Sequence, residues 1–193
     1  MSGRPPGDKE RAIGRYIRSK FGSDTSVHRY ADDSGDVDLF LVSGRDCPVA
    51  GVTSFGTVGL ALYPFDFHGS SLSVELLGAC STITEGFDRV ISSCAIECMK
   101  NGTSLPIESI VPDVISQYGL SDTMRHIVLT SPFLWEGFET ALSLDALTVH
   151  WLMAVPISDS EMRYCKTSGF ENLEAEFLKH QIDVFDLSRP SVI

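Results

Sequence analysis

The stretch Val149-His150-Trp151-Leu152-Met153-Ala154-Val155-Pro156-Ile157-Ser158-Asp159-Ser160-Glu161 runs from an apolar strand directly into a helix start. Residues 146–155 are apolar almost throughout and of strand length, the pattern of a strand covered on both faces. Ser158 and, three residues on, Glu161 form a capping box: the hydroxyl accepts one free helix N–H and the carboxylate reaches back to another. Gly169 closes that helix at a left-handed position. A second helix over residues 171–180 turns Leu173, Phe177 and Leu178 inward.

Upstream of this segment, residues 126–129 and 142–144 read as further strand, joined through Pro132-Phe133-Leu134-Trp135. Before them the apolar period is helical. Thr84 is a candidate cap, and Phe87, Val90, Ile91, Cys94 and Cys98 recur every three or four residues until Asn101-Gly102. A short helical piece is expected over residues 113–118. The first third reads as β-structure, with runs at 27–30, 37–42, 49–54, 57–62 and 72–77. An N-terminal helix precedes these runs, with Asp8 as cap and Ile13, Tyr16, Ile17 and Phe21 on one face before Gly22. Strands, a central helix, more strands and terminal helices predict an α/β (α+β) fold, a mixed β-sheet flanked by helices. Residues 1–7 are expected to be a flexible N-terminus and residues 8–193 a single domain.

The chain has 193 residues, with 15 Lys+Arg against 26 Asp+Glu and a formal net charge of −11. Six of its cations lie in the first twenty residues, so the remaining body is more acidic than the total suggests. That balance argues against a nucleic-acid partner, whose phosphates must be neutralised by Lys and Arg, and against an anionic membrane surface. The longest apolar-rich run has 12 residues, short of the roughly 18 needed to span a bilayer. The N-terminus has no apolar signal core, and five cysteines without framework spacing read as reduced thiols. The expected location is cytoplasmic, and the expected assembly a monomer or weak dimer.

Candidate chemistry is sparse. Asp32, Asp33, Asp36 and Asp38 cluster in one connection, but the EF-hand register fails when started from Asp32, so no metal site is expected. Cys94 and Cys98 continue a core stripe and lack a second ligand pair. There is no nucleophile elbow, Walker loop or dinucleotide fingerprint. His126 and His150 read as hydrogen-bonded structural histidines in apolar strands. The expectation is therefore no catalytic residue, no cofactor and no enzyme. The acidic connection, as a loop on a rigid scaffold, becomes the candidate partner-binding site.

Several pieces in order resemble the Suppressor of fused (SUFU) family. They are His126-Ile127-Val128-Leu129-Thr130-Ser131-Pro132, the strand Val149 to Ile157 ending in Pro-Ile, and the helix with Glu161, Tyr164 and Gly169. The Leu173 to Phe177 helix and the ending Asp186-Leu187-Ser188-Arg189-Pro190-Ser191-Val192 follow. Val52-Thr53-Ser54-Phe55-Gly56 is similar to the family's Thr-x-Gly turn, although the continuation departs from it. The resemblance spans about residues 50–192. It implies a non-catalytic domain that binds a protein partner, in the manner of single-domain bacterial relatives that look like immunity proteins neutralising toxins. A basic toxin domain would suit an acidic inhibitor. The alternatives are a scaffold that binds a peptide by β-strand addition and an unrecognised hydrolase.

Overall fold

The structure is a computed structural model that describes residues 4–67, 70–103 and 105–193, apart from the side chains of Phe67 and Ser70. Its elements run α1 (Asp8–Phe21), β1 (Thr25–Ala31), β2 (Asp38–Arg45), β3 (Val52–Val58), β4 (Phe65–Phe67), β5 (Ser70–Ser81) and α2 (Phe87–Asn101). They continue with β6 (Ile110–Val111), β7 (Met124–Thr130), β8 (Ala141–Leu144), β9 (Leu147–Ser158), α3 (Asp159–Ser168) and α4 (Phe170–His180). The strands form one nine-stranded mixed sheet, ordered β1-β2-β3-β5-β9-β7-β6, with β4 added on β5 and β8 on β9. The fold is thus the α+β class expected from the sequence.

The two longest strands meet at the centre, where β5 and β9 pair in parallel with Ser73 opposite Val149 and Gly78 opposite Ala154. The other strand pairings among the described residues are antiparallel. Alternation along β5 divides the core. Val74, Leu76 and Cys80 face α2, while Leu77 and Ala79 face the layer made by α1, α3 and α4. Both sides of these strands are covered, which is why their sequence is apolar on successive residues.

The sequence boundaries shift where turn chemistry decides them. Residues 49–54 and 57–62 read as two strands, yet Val52 to Val58 is a single one. Gly51, at φ 81° and held by its N–H on the Asp46 carboxylate, delays the strand. Gly56 does not interrupt it: a Cβ there would lie 3.0 Å from Ile17, so the missing side chain lets α1 close onto the sheet. After Gly59, at φ 126°, residues Leu60–Leu62 form a 3-10 turn instead of strand. Residues 113–118 likewise reduce to a 3-10 turn at Ser116–Tyr118. The N-cap of α1 is Gly7, not Asp8, and the Glu10 carboxylate accepts the Gly7 N–H at 2.6 Å. The N-cap of α2 is Gly86, not Thr84.

Strands β7 and β8 lie along the same side of β9, one against residues 153–158 and the other against 147–150. Residues 131–140 leave the sheet between them. This excursion carries Trp135 to a hydrogen bond with the Ser54 hydroxyl and places Phe138 edge-on to Tyr16 and Trp151, at 5.3 and 5.0 Å. Phe133, at the start of the same excursion, is 61% exposed. No helix among the described residues is long and apolar enough to cross a membrane.

Candidate partner-binding surface

The four aspartates of the acidic connection do different jobs. Asp32 closes the connection on itself: its carboxylate accepts the Ser34 hydroxyl at 2.7 Å and the Val37 N–H at 3.1 Å, and pairs with Lys100 at 3.4 Å. The Ser34 and Val37 bonds hold its pKa down to about 2, so it stays ionised. Asp38 is buried and grips two arginines, Arg29 at 2.6 Å and Arg4 at 3.0 Å. Burial works against its charge, but the two guanidinium groups outweigh burial and keep its pKa below the usual carboxylate value. Arg4, within the stretch expected to be flexible, also binds the buried Glu10 through both terminal nitrogens. Asp33 and Asp36 alone are exposed. The structure therefore gives two of the four candidates internal duties and leaves two outward on a short turn.

Other buried polar groups account for the remaining candidate chemistry. His126 is buried; its Nδ1 accepts the Asp113 N–H at 2.8 Å, so Nε2 carries the proton and donates to the Asp159 carboxylate at 2.8 Å. Both ring nitrogens are occupied, which leaves no lone pair for general-base work. His150 differs from its expected buried role. It is exposed, because the first residues of β9 lie where the sheet is only partly covered. All five cysteines are buried and free. Burial raises the thiol pKa at Cys94 and Cys165, and to about 11 at Cys80 and about 12 at Cys98, so neither of the last two is a thiolate near neutrality. Glu75 is fully buried on β5, where it accepts the Thr57 hydroxyl and the N–H groups of Gly59 and Ala61. Among the described residues no cluster of His, Cys, Asp or Glu is placed to hold a metal ion.

Two features lie at the C-terminal end of the fold. Glu161 uses one carboxylate oxygen to cap Ser158, and both oxygens take the Arg189 guanidinium, at 2.6 and 2.9 Å. Arg189 also donates to the Pro156 carbonyl and lies 5.3 Å from the Phe177 ring centre. This buried clamp pins the closing segment against the start of α3. Beside it, α4, the 131–140 excursion and residues 181–184 enclose an apolar groove of about 510 Å³. Leu178, expected to point inward, is 74% exposed at this groove, and Phe133 stands there too. Helix α4 buries Leu173 and packs Phe177 against the core, while Leu178 lies on its outer face.

The layered fold, with a central parallel β5–β9 pair and a C-terminal segment held by Arg189, superposes on solved domains of the Suppressor of fused type. The family model described as Suppressor of fused protein (SUFU) matches residues 34–190, and the chain belongs to that family. The match begins earlier than the resemblance read from the sequence. Immunity protein YqcF of Bacillus subtilis (strain 168) is 31% identical over 187 residues, covering 96% of this chain and 97% of that protein. A SUFU homologue from Neisseria gonorrhoeae FA 1090 superposes with TM-score 0.72 at 18% identity, over 96% of this chain and 97% of that one. The Sufu–Fu complex crystal structure gives TM-score 0.61 at 14% identity, over 95% and 92%. Drosophila Suppressor of Fused gives 0.55 at 12%, with 87% of this chain spanning 42% of that protein.

Proposed function

We propose that this chain is a non-catalytic immunity-type protein that binds a basic toxin domain and neutralises it in the cytoplasm. The observation that carries this reading is the similarity to an immunity protein over nearly the whole of both chains, 31% identical with 96% and 97% coverage. The occupied nitrogens of His126 and the protonated buried thiols support a binding role over a catalytic one. A net charge of −11 supports a cationic partner, because complementary fields speed encounter and exclude wrong partners. The test is co-expression with the product of the neighbouring gene. A one-to-one complex together with restored growth is expected; neither complex nor protection would overturn the reading.

Peptide capture by strand addition is favoured by one observation. β1 is a sheet edge, and the bonds Arg45 N–H to Asp24 and Asp32 N–H to Val37 fix its phase. The N–H and C=O groups of Thr25, Val27, Arg29 and Ala31 consequently face outward. Binding by this route would depend little on salt, whereas charge-steered association slows markedly as ionic strength rises.

A further inference from the structure

We infer that the partner is recognised at the C-terminal end of the fold, in the recesses on the two sides of residues 181–188, and not at the acidic connection between β1 and β2. This rests on the proposed immunity function and assigns its surface. Ile182 and Val184 line the apolar groove already described, together with the exposed Phe133 and Leu178. Asp183 and Asp186 line a second crevice of about 710 Å³, with Glu85 and, 90% exposed at its rim, Ile83. One short segment thus presents aliphatic side chains to one recess and carboxylates to the other.

The charges of the two recesses have one sign. Glu174 lines the groove and Glu85, Asp183 and Asp186 line the crevice, and no Lys or Arg lines either. Asp186 is kept ionised by the Ser188 hydroxyl and N–H. The nearby Arg189 adds little field, since its charge is taken up by the buried Glu161. By contrast, the hollow between α1 and β2 is lined by Arg11, Arg15 and Arg18 beside Glu10, and the hollow beside Asp33 mixes Lys100 with Asp32 and Glu97, the lysine pairing with Asp32. An apolar centre with an acidic rim is the arrangement in which a large apolar side chain buries while flanking Lys or Arg residues dock around it. The occupant is a basic protein partner that presents an aromatic or aliphatic anchor beside cationic side chains. Asp33 borders a hollow that holds a cation, Lys100, and Asp33 and Asp36 stand on a turn whose other two carboxylates are already engaged.

The experiment measures binding of the neighbouring gene's product, inactivated so that it can be purified, to the full chain and three variants. Phe133→Ala with Leu178→Ala removes the anchor pocket; both residues are exposed, and unchanged melting would show that the fold is kept. Glu174→Lys with Asp183→Lys reverses the rim, and Asp33→Lys with Asp36→Lys reverses the competing turn. The anchor pair should weaken affinity about 10- to 100-fold through dissociation. The rim pair should slow association about tenfold at low salt, while the turn pair stays within about twofold of wild type, as energetically neutral surface does. Wild-type binding that survives both C-terminal variants but is lost in the turn pair would overturn this assignment and leave the immunity reading standing. No binding by the wild type would overturn both. A wild-type dimer that the anchor pair dissolves would identify a second copy as the occupant and also refute it.

Discussion

Replacing Glu75 by Gln tests whether a carboxyl at the centre of the sheet is held neutral. Burial pushes its pKa up to about 7, outweighing the Thr57 hydroxyl and the backbone N–H groups of Gly59, Ala61 and Leu60. In the unfolded chain an ordinary glutamate titrates near 4.5. Below that pH both states are protonated, and the contribution of Glu75 to stability is fully present. As pH rises from about 4.5 to about 7 the unfolded chain releases the proton while the fold keeps it, so stability falls; above about 7 the loss is complete. At 1.36 kcal/mol per pH unit, the gap between the two values makes the loss about 3 kcal/mol. Gln fits the same site. Its amide oxygen can accept from Gly59 and Ala61, and its NH₂ can donate to the Thr57 oxygen, whose hydroxyl then turns to the Leu76 carbonyl. The variant should match wild type near pH 4.5 and exceed it by about 3 kcal/mol near pH 8. Urea midpoints followed through Trp135 and Trp151 fluorescence between these limits measure the difference, with every other carboxylate common to both proteins. A Gln variant destabilised equally at all pH values would refute the reasoning, because it would mean that the ring of donors holds Glu75 ionised.

The Glu161–Arg189 clamp gives a larger effect of opposite kind. Arg189→Ala leaves Glu161 buried without its cation and should cost about 3–5 kcal/mol by chemical denaturation; Arg189→Lys should fall between, since a point charge cannot supply both forked bonds. A loss below 1 kcal/mol for the alanine variant would contradict the clamp. At Gly78 an added Cβ would meet Ile91 Cδ1 at 2.6 Å. Gly78→Ala should lower stability by about 1–3 kcal/mol, and Ile91→Val, which removes that methyl, should recover part of it in a double-mutant cycle. Leu178→Ala, at an exposed site, should change stability by no more than about 0.5 kcal/mol, in contrast to its expected effect on partner binding; a larger loss would place Leu178 in the core.

What could be read in advance follows the range of each signal. The α3 boundaries were legible because Ser158, Glu161 and Gly169 act within a turn of the backbone they cap. The stripe of Phe87, Ile91, Cys94 and Cys98 was legible because one helix face supplies it. Gly56 misled because its reason lies on another element, α1, which no local pattern announces. The same holds for Arg189. Glu161 was recognised as a cap, but its partner stands 28 residues away, and no spacing rule joins them. At the candidate site, composition identified acidity without locating it. Asp32 and Asp38 looked equivalent to Asp33 and Asp36 until Val37, Lys100, Arg4 and Arg29 were placed around them. Leu178 lies about 140° around the helix from the buried Leu173 and in phase with the exposed Glu171 and Glu174, so its apolar character suggested an inward position that the helical period does not give it.

The charge imbalance of the chain is a property of its surface, because each buried carboxylate among the described residues is either paired with a cation or protonated over much of the neutral range. Glu10 and Asp38 are held by Arg4 and Arg29, Glu161 by Arg189, and Glu75 holds a proton over much of the neutral range. Burial therefore removes little net charge, and nearly all of −11 remains outward. That surface is also divided. Helix α1 gathers Arg11, Arg15 and Arg18 along one hollow, whereas the recesses at the C-terminal segment carry carboxylates alone. An approaching cationic protein would be repelled by the first and drawn to the second, so the field orients the encounter before any contact forms. The arginines of α1 then contribute to specificity by disfavouring one face, just as the carboxylates beside α4 favour another. Reversing Arg15, which forms no ion pair among the described residues, with Arg15→Glu would leave Arg11 and Arg18 on this face but remove much of its repulsion. Non-productive encounters should increase at low salt and disappear as added salt shortens the screening length to about 8 Å.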